Sequence, residues 1–142
     1  PLFEAQLYAI FPPDHPLLGQ RSLSLDRIVS EPMMVMRRGF LTRHLFDKTA
    51  AAHGLRPRIV LESNSTQALG ALAHDGHGVA IVSSSAQNIT QMHNATPIES
   101  SICQTSAKVS AVWNPKRYQP VKFSRFLDVL IEVANEHISA CP

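Results

Sequence analysis

Short apolar runs alternate along the chain with longer stretches in which apolar residues return every three or four positions. The runs are Gln6 to Phe11, closed by Pro12-Pro13, then Met33 to Met36, Arg58 to Leu61 and Val79 to Val82. Runs this short, bounded by turn residues, predict strands. A wholly apolar one such as MMVM suits a strand covered on both faces. Between them, Leu41, Leu45, Phe46 and Ala50 share one side of a Gly-opened helix that Gly54 stops. A second helix, capped by Asn64 or Ser65, turns Ala68, Leu69, Leu72 and Ala73 inward and ends at Gly76. Ser24 is placed to cap a short helix over Leu25 to Val29, and Ser83 to Asn94 reads as a short helix and loop. Ala95 to Ile98 predicts a brief strand and Thr105 to Trp113 a longer, alternating one. Val121 to Ile138 predicts a helix with Phe123, Phe126, Leu127, Leu130, Val133 and Ala134 on its apolar side. Strands and helices taking turns in this way imply an α/β fold with a mostly parallel, helix-covered sheet.

The stretch from Arg58 to Ser85 points to function. It predicts two neighbouring strands, each ending in small hydroxyl and amide residues. Ligands bind at the carboxyl ends of parallel strands in an open α/β sheet. The turn Asn64-Ser65-Thr66 opens a helix, whose free N–H groups attract an anion. Arg37 to Thr42 follows Met33 to Met36. There Gly39 lets the backbone approach a ligand beside Phe40, Thr42 can donate, and an arginine can grip a carboxylate with two parallel bonds. Ser83-Ser84-Ser85 follows Val79 to Val82. Each turn also has a plainer reading, as a helix cap or a solvated basic loop. Their convergence argues for a site, because parallel strands deliver all three to one edge.

Composition narrows the alternatives. A chain of 142 residues, 44% apolar and 17% charged, can build a core and is not disordered. The net charge of +2 is scattered, so no basic stripe for nucleic acid is present. No apolar run approaches the length of a membrane span, and no signal-peptide pattern occurs. Cys103 and Cys141 lie far apart and read as unpaired thiols in a reducing cytoplasm. The seven histidines are loosely spaced and read as structural or surface groups. Without a nucleophile elbow, P-loop or HExxH motif, no catalytic residue, cofactor or metal is expected. Glu62 reads as a structural hydrogen-bonding residue. Pro1 leads almost directly into a strand, so the chain is expected to begin inside a larger protein.

The segments LYAIFPPDHPLLGQRSLSLDRIVSEPMMVM, RRGFLTRHLFDKTAAAHGLRPRIVLESNSTQALGALAHDGHGVAIVSS and KVSAVWNPKRYQPVKFSRFLDVLIE resemble, in order and spacing, the effector-binding domain of LysR-type transcriptional regulators. The resemblance covers nearly all of the chain. It implies a periplasmic-binding-protein-like (type 2) fold of two α/β subdomains, with Gln6 to Phe11 and Thr105 to Trp113 as crossing hinge strands. Residues 15–104 would form a complete second subdomain, and 1–14 with 105–142 a partial first. It further implies a cytoplasmic sensor that binds a small, anionic metabolite and acts as a homo-oligomer. DNA would be reached only through a helix-turn-helix outside this chain. The effector-binding residues implied are Arg37, Gly39, Phe40, Thr42, Asn64, Ser65, Thr66, Ser83, Ser84 and Ser85. Ser84, where many relatives have proline, and His77, between two glycines, depart from the pattern. A transport solute-binding domain of the same architecture is the alternative.

Overall fold

The computed structural model describes residues 1–86, 89 and 94–138, with helix residues 137 and 138 described by backbone alone. Cys141 and most of the polar stretch after Ala86 therefore lie outside the described residues. Six strands are described: β1 Phe3–Ile10, β2 Met33–Met36, β3 Ile59–Ser63, β4 Val79–Ser83, β5 Ala95–Pro97 and β6 Ser106–Val109. The helices are α1 Leu41–Ala52, α2 Thr66–His74 and α3 Phe123–Ile138, with a 3-10 turn at Leu25–Arg27. The chain divides into a larger unit, Gln6–Ala107, and a smaller one, Pro1–Ala5 with the chain from Lys108 onward. The paired strands β1 and β6 each pass from one unit into the other.

In the larger unit the strand order is β3-β2-β4-β1-β5. β2 runs parallel to β3 and β4, while β1 runs antiparallel to β4 and β5. The sheet is thus mixed rather than mostly parallel. β1 enters between β4 and β5 against their direction, a long-range pairing that local periodicity does not encode. Alternate β2 residues serve two cores. Met33 and Val35 meet Leu45, Phe46 and Ala50 of α1 on one face. Met34 and Met36 meet Leu69 and Ala73 of α2 on the other. Burial on both faces is the physical reason for an unbroken apolar strand.

Several elements differ from the expected pattern. Ile59, Val60 and Leu61 are 36–47% exposed, because β3 is an edge strand. Leu41 is 42% exposed at the first turn of α1, while Arg43 and Thr49 are buried instead. Ala68 lies on the outer side of α2. Ser24 makes no side-chain cap bond, since its hydroxyl turns to the Asp26 carboxylate and the helix stops after one turn. β6 ends at Val109, short of Trp113. Beyond it Val112 is 91% exposed, so the alternation there fills no core.

In the smaller unit, Trp113 meets the Phe123 ring edge-on, with centroids 5.7 Å apart. Along α3, Ala134 is buried and Phe123, Leu127 and Leu130 are half-buried. Phe126 and Val133, expected on the inner side, are exposed together with Val129 and Ile131.

Candidate functional site at the carboxyl ends of the parallel strands

β2 lies between β3 and β4, so the strands that end in Ser63 and Ser83 are not neighbours as the sequence suggested. The chain leaves β2, passes through α1 on one face and returns as β3. It then crosses through α2 on the other face to reach β4. The carboxyl end of β2 is thus a topological switch point, where the two crossovers diverge and leave a crevice. Because β2, β3 and β4 are parallel, the turns Arg37 to Thr42, Asn64 to Thr66 and Ser84 to Ser85 all leave from that edge.

The first two turns are tied to one another. The Arg37 N–H donates to the Ser63 carbonyl at 2.9 Å, which joins the first two. Gly39 has φ +99, and a methyl group added there would meet nothing within 4 Å, so its requirement is conformational rather than steric. Phe40, 42% exposed, is the N-cap of α1 and supplies no side-chain bond to the helix start. Arg37 is exposed and Thr42 half-buried. These groups leave the opening turn of α1 to other acceptors.

The second turn is more committed to its own fold. The Ser65 hydroxyl accepts the Ala68 N–H at 3.2 Å, as an N-cap does, and the Ser63 hydroxyl accepts the Ser65 N–H at 3.0 Å. Thr66 Oγ1 lies 3.8 Å from Met36 Sδ as donor, and Asn64 is exposed. In the third turn, the Ser83 and Ser85 hydroxyls are 2.8 Å apart. Ser84 turns away to β1: its N–H donates to the Gln6 carbonyl at 2.8 Å, and its hydroxyl accepts the Gln6 N–H at 3.0 Å. Ser84 therefore extends the β1–β4 ladder. A groove of about 670 Å³ runs from Ser65 and Thr66 along α2 over Gly70, with Ile10 and Ile89 in its apolar lining. That size lies within the range of small-molecule sites, but of the ten residues expected to bind an effector only Ser65 and Thr66 line it.

Sequence reasoning missed Ser63, Gln6 and Arg43. Arg43 shares the helical face of Phe46 and Ala50, and a charge on an apolar face is a signal that could have marked it. Its guanidinium meets Asp47 at 2.9 Å, Glu62 at 2.5 Å and the Met36 carbonyl at 3.2 Å. Burial alone would lower its pKa, but the hydrogen bonds it donates to Glu62 and Asp47 outweigh that and hold it above its ordinary value. The structural role expected of Glu62 is this one. Elsewhere, His53 Nε2 and Ser100 Oγ are 2.9 Å apart, and Cys103 is free. Among the described residues no three His, Cys, Asp or Glu side chains cluster as a metal site, and no helix is long and apolar enough to cross a membrane.

The comparisons agree with this architecture. The family model for the LysR substrate binding domain matches residues 1–135. The HTH-type transcriptional regulator CysL of Bacillus subtilis is 26% identical over 98 residues, which is 69% of this chain and 33% of CysL. The chain thus spans about a third of that curated relative. Among solved structures, the effector binding domain of QuiR in complex with shikimate superposes with a TM-score of 0.70 at 16% identity, over 97% of this chain and 65% of that one. The CcmR regulatory domain of Synechocystis PCC6803 in complex with 2-PG gives 0.69 at 20% identity, over 94% and 65%. These likenesses establish the periplasmic-binding-protein-like fold, and with the match over residues 1–135 the chain belongs to the LysR substrate binding domain family.

Proposed function

We propose that this chain is the effector-sensing part of a bacterial LysR-type transcription regulator, and that it holds a small anionic metabolite at the switch-point edge. The observation that carries this reading is the delivery of three polar turns to one edge by three parallel strands. An uncapped α1 start, with Arg37 exposed beside it and Thr42 half-buried, offers the donors that an anion needs. Thr66 and the N–H groups opening α2 supply the second side, and the Ser83–Ser85 pair shapes the third. Ser65 contributes as a cap, and Ser84 by fixing the turn to β1. Gly39, Phe40 and Asn64 shape the approach.

Residues 15–104 would be the second regulatory subdomain, with 1–14 and 105–142 belonging to the first; the compact unit Gln6–Ala107 encloses the former and also takes in residues 6–14 and 105–107. Binding rather than bond-making is the activity. An effector changes a regulator only through unequal affinity for its conformations, and that change would pass through a homo-oligomer to helix-turn-helix domains elsewhere in the protein. A cytoplasmic location follows from that role. CysL is a regulator by name, which favours this reading over transport.

The test is calorimetric titration of the full-length gene product with a panel of carboxylate metabolites that begins with shikimate. Losing two charge-assisted bonds, about 3 kcal/mol in all, should weaken binding roughly a hundredfold in Arg37→Ala/Thr42→Ala. Unchanged affinity in that variant would remove the assignment.

A further inference from the structure

We propose that Arg43 is a positioning residue for the effector edge, setting affinity by holding two turns in register without touching the effector. The inference rests on the edge being the effector site. Arg43 lies in the first turn of α1, yet its side chain is only 5% exposed. One nitrogen, Nη1, donates both to the carbonyl of Met36, the last residue of β2, and to Glu62 in β3. Nε meanwhile donates to both Asp47 oxygens, at 2.9 and 3.0 Å, one turn further along α1. Arg37 follows Met36 directly, and Ser63 follows Glu62. Ser63 then holds both turns, with its carbonyl on the Arg37 N–H and its hydroxyl on the Ser65 N–H. A single guanidinium therefore joins the helix start, the end of β2 and the end of β3.

Stability is a weak reason for placing an arginine here. Removing one partner of an ion pair is costly chiefly where it strands a buried charge, and here it does not. A methionine at this position would extend the Leu45–Phe46–Ala50 face. The carboxylates left behind, Asp47 at 45% and Glu62 at 42% exposure, already reach water. Geometry is the stronger reason. A planar fork with fixed donors can span a carbonyl and two carboxylates at once, whereas a lysine ammonium is a compact point charge that cannot reproduce the spacing.

The experiment compares the full-length gene product with its Arg43→Met and Arg43→Lys variants. Melting temperature, amide hydrogen exchange and the affinity for each carboxylate of the panel, shikimate included, are measured on each. Both variants should melt within a few degrees of the parent. Exchange should speed about tenfold in peptides covering 37–42 and 63–68 and stay unchanged over Val79–Ser83. Affinity for the carboxylate that binds the parent most tightly should fall about tenfold. Arg43→Lys gives the same comparison where the methionine variant does not fold.

Unchanged exchange at both turns would overturn the proposal. So would exchange raised evenly across Gln6–Ala107, the mark of a merely structural residue. Faster turns with undiminished affinity would overturn it too. Failure of the parent protein to bind any carboxylate would instead sink the effector reading, while exchange confined to the two turns would still support Arg43 as their clamp.

Discussion

Replacing Gly78 by alanine tests how α2 hands the chain to β4. A Cβ at Gly78 would stand 2.2 Å from the Pro32 carbonyl oxygen and 3.2 Å from its carbon. Carbon–oxygen contacts relax only beyond about 3.3 Å, so the backbone must retreat by about an ångström. The same oxygen accepts the Val79 N–H at 2.9 Å, at the start of the parallel pairing of Met33 with Val79. The retreat therefore breaks a sheet bond, at about 1 kcal/mol. Gly78 also has φ +151, where an alanine adds about 1–3 kcal/mol of strain. The sum, about 2–4 kcal/mol, is a large share of the 5–15 or so that typical proteins possess. Gly76 supplies the control in the same Gly-X-Gly: φ is +86 with nothing within 4 Å, so Gly76→Ala should cost only about 1 kcal/mol. Urea unfolding followed by circular dichroism, on the full-length gene product, measures both. If Gly78→Ala proves no costlier than Gly76→Ala, the close approach of Pro32 is not what demands the glycine.

Three further outcomes are expected. Ser65→Ala removes the α2 cap and should cost about 1 kcal/mol by the same unfolding assay, whether or not an effector is present. Gly70→Ala should stabilise the protein by up to about 1 kcal/mol through helix propensity, because the added Cβ meets only Ile10 Cδ1, at an ordinary 3.7 Å. Asp26 titrates below its ordinary value chiefly because the Ser24 hydroxyl donates to it. A depressed carboxylate stabilises the fold above its unfolded pKa and loses that contribution as pH falls through its folded pKa. Ser24→Ala should raise the Asp26 pKa, read by NMR titration, and flatten the acid limb of stability.

Features written in a few adjacent residues were legible in the sequence. Met33–Met36 is a strand because four buried apolar residues lie between turn residues, and Ser65 caps α2 because a hydroxyl precedes a helical run. Gly54 and Gly76 stop α1 and α2 with φ of +64 and +86. Pairing was not legible, because it joins residues far apart. The placement of β2 between β3 and β4, the antiparallel entry of β1 and the bonding of Ser84 to Gln6 depend on chain reversals that no local pattern records. The edge position of β3 explains why Ile59, Val60 and Leu61 look like core residues and yet reach solvent. At the candidate site, the convergence of three turns was readable once parallel strands were assumed. The division of labour among their hydroxyls was not, because Ser84 serves Gln6, a partner that only the folded chain brings near. Arg43 belongs to the same class, since it lies in α1 and its partner Glu62 comes from β3.

A metabolite held where β2, β3 and β4 end is the central claim. A crystal structure of the full-length gene product, grown with the carboxylate that binds it most tightly in calorimetry, tests that claim most directly. Ligand density should lie beside Arg37, within hydrogen-bond reach of Thr42 Oγ1 and of the N–H groups that open α2. Density at the opposite edge of the sheet, near His15 and Glu31, which pair at 3.5 Å, would contradict it.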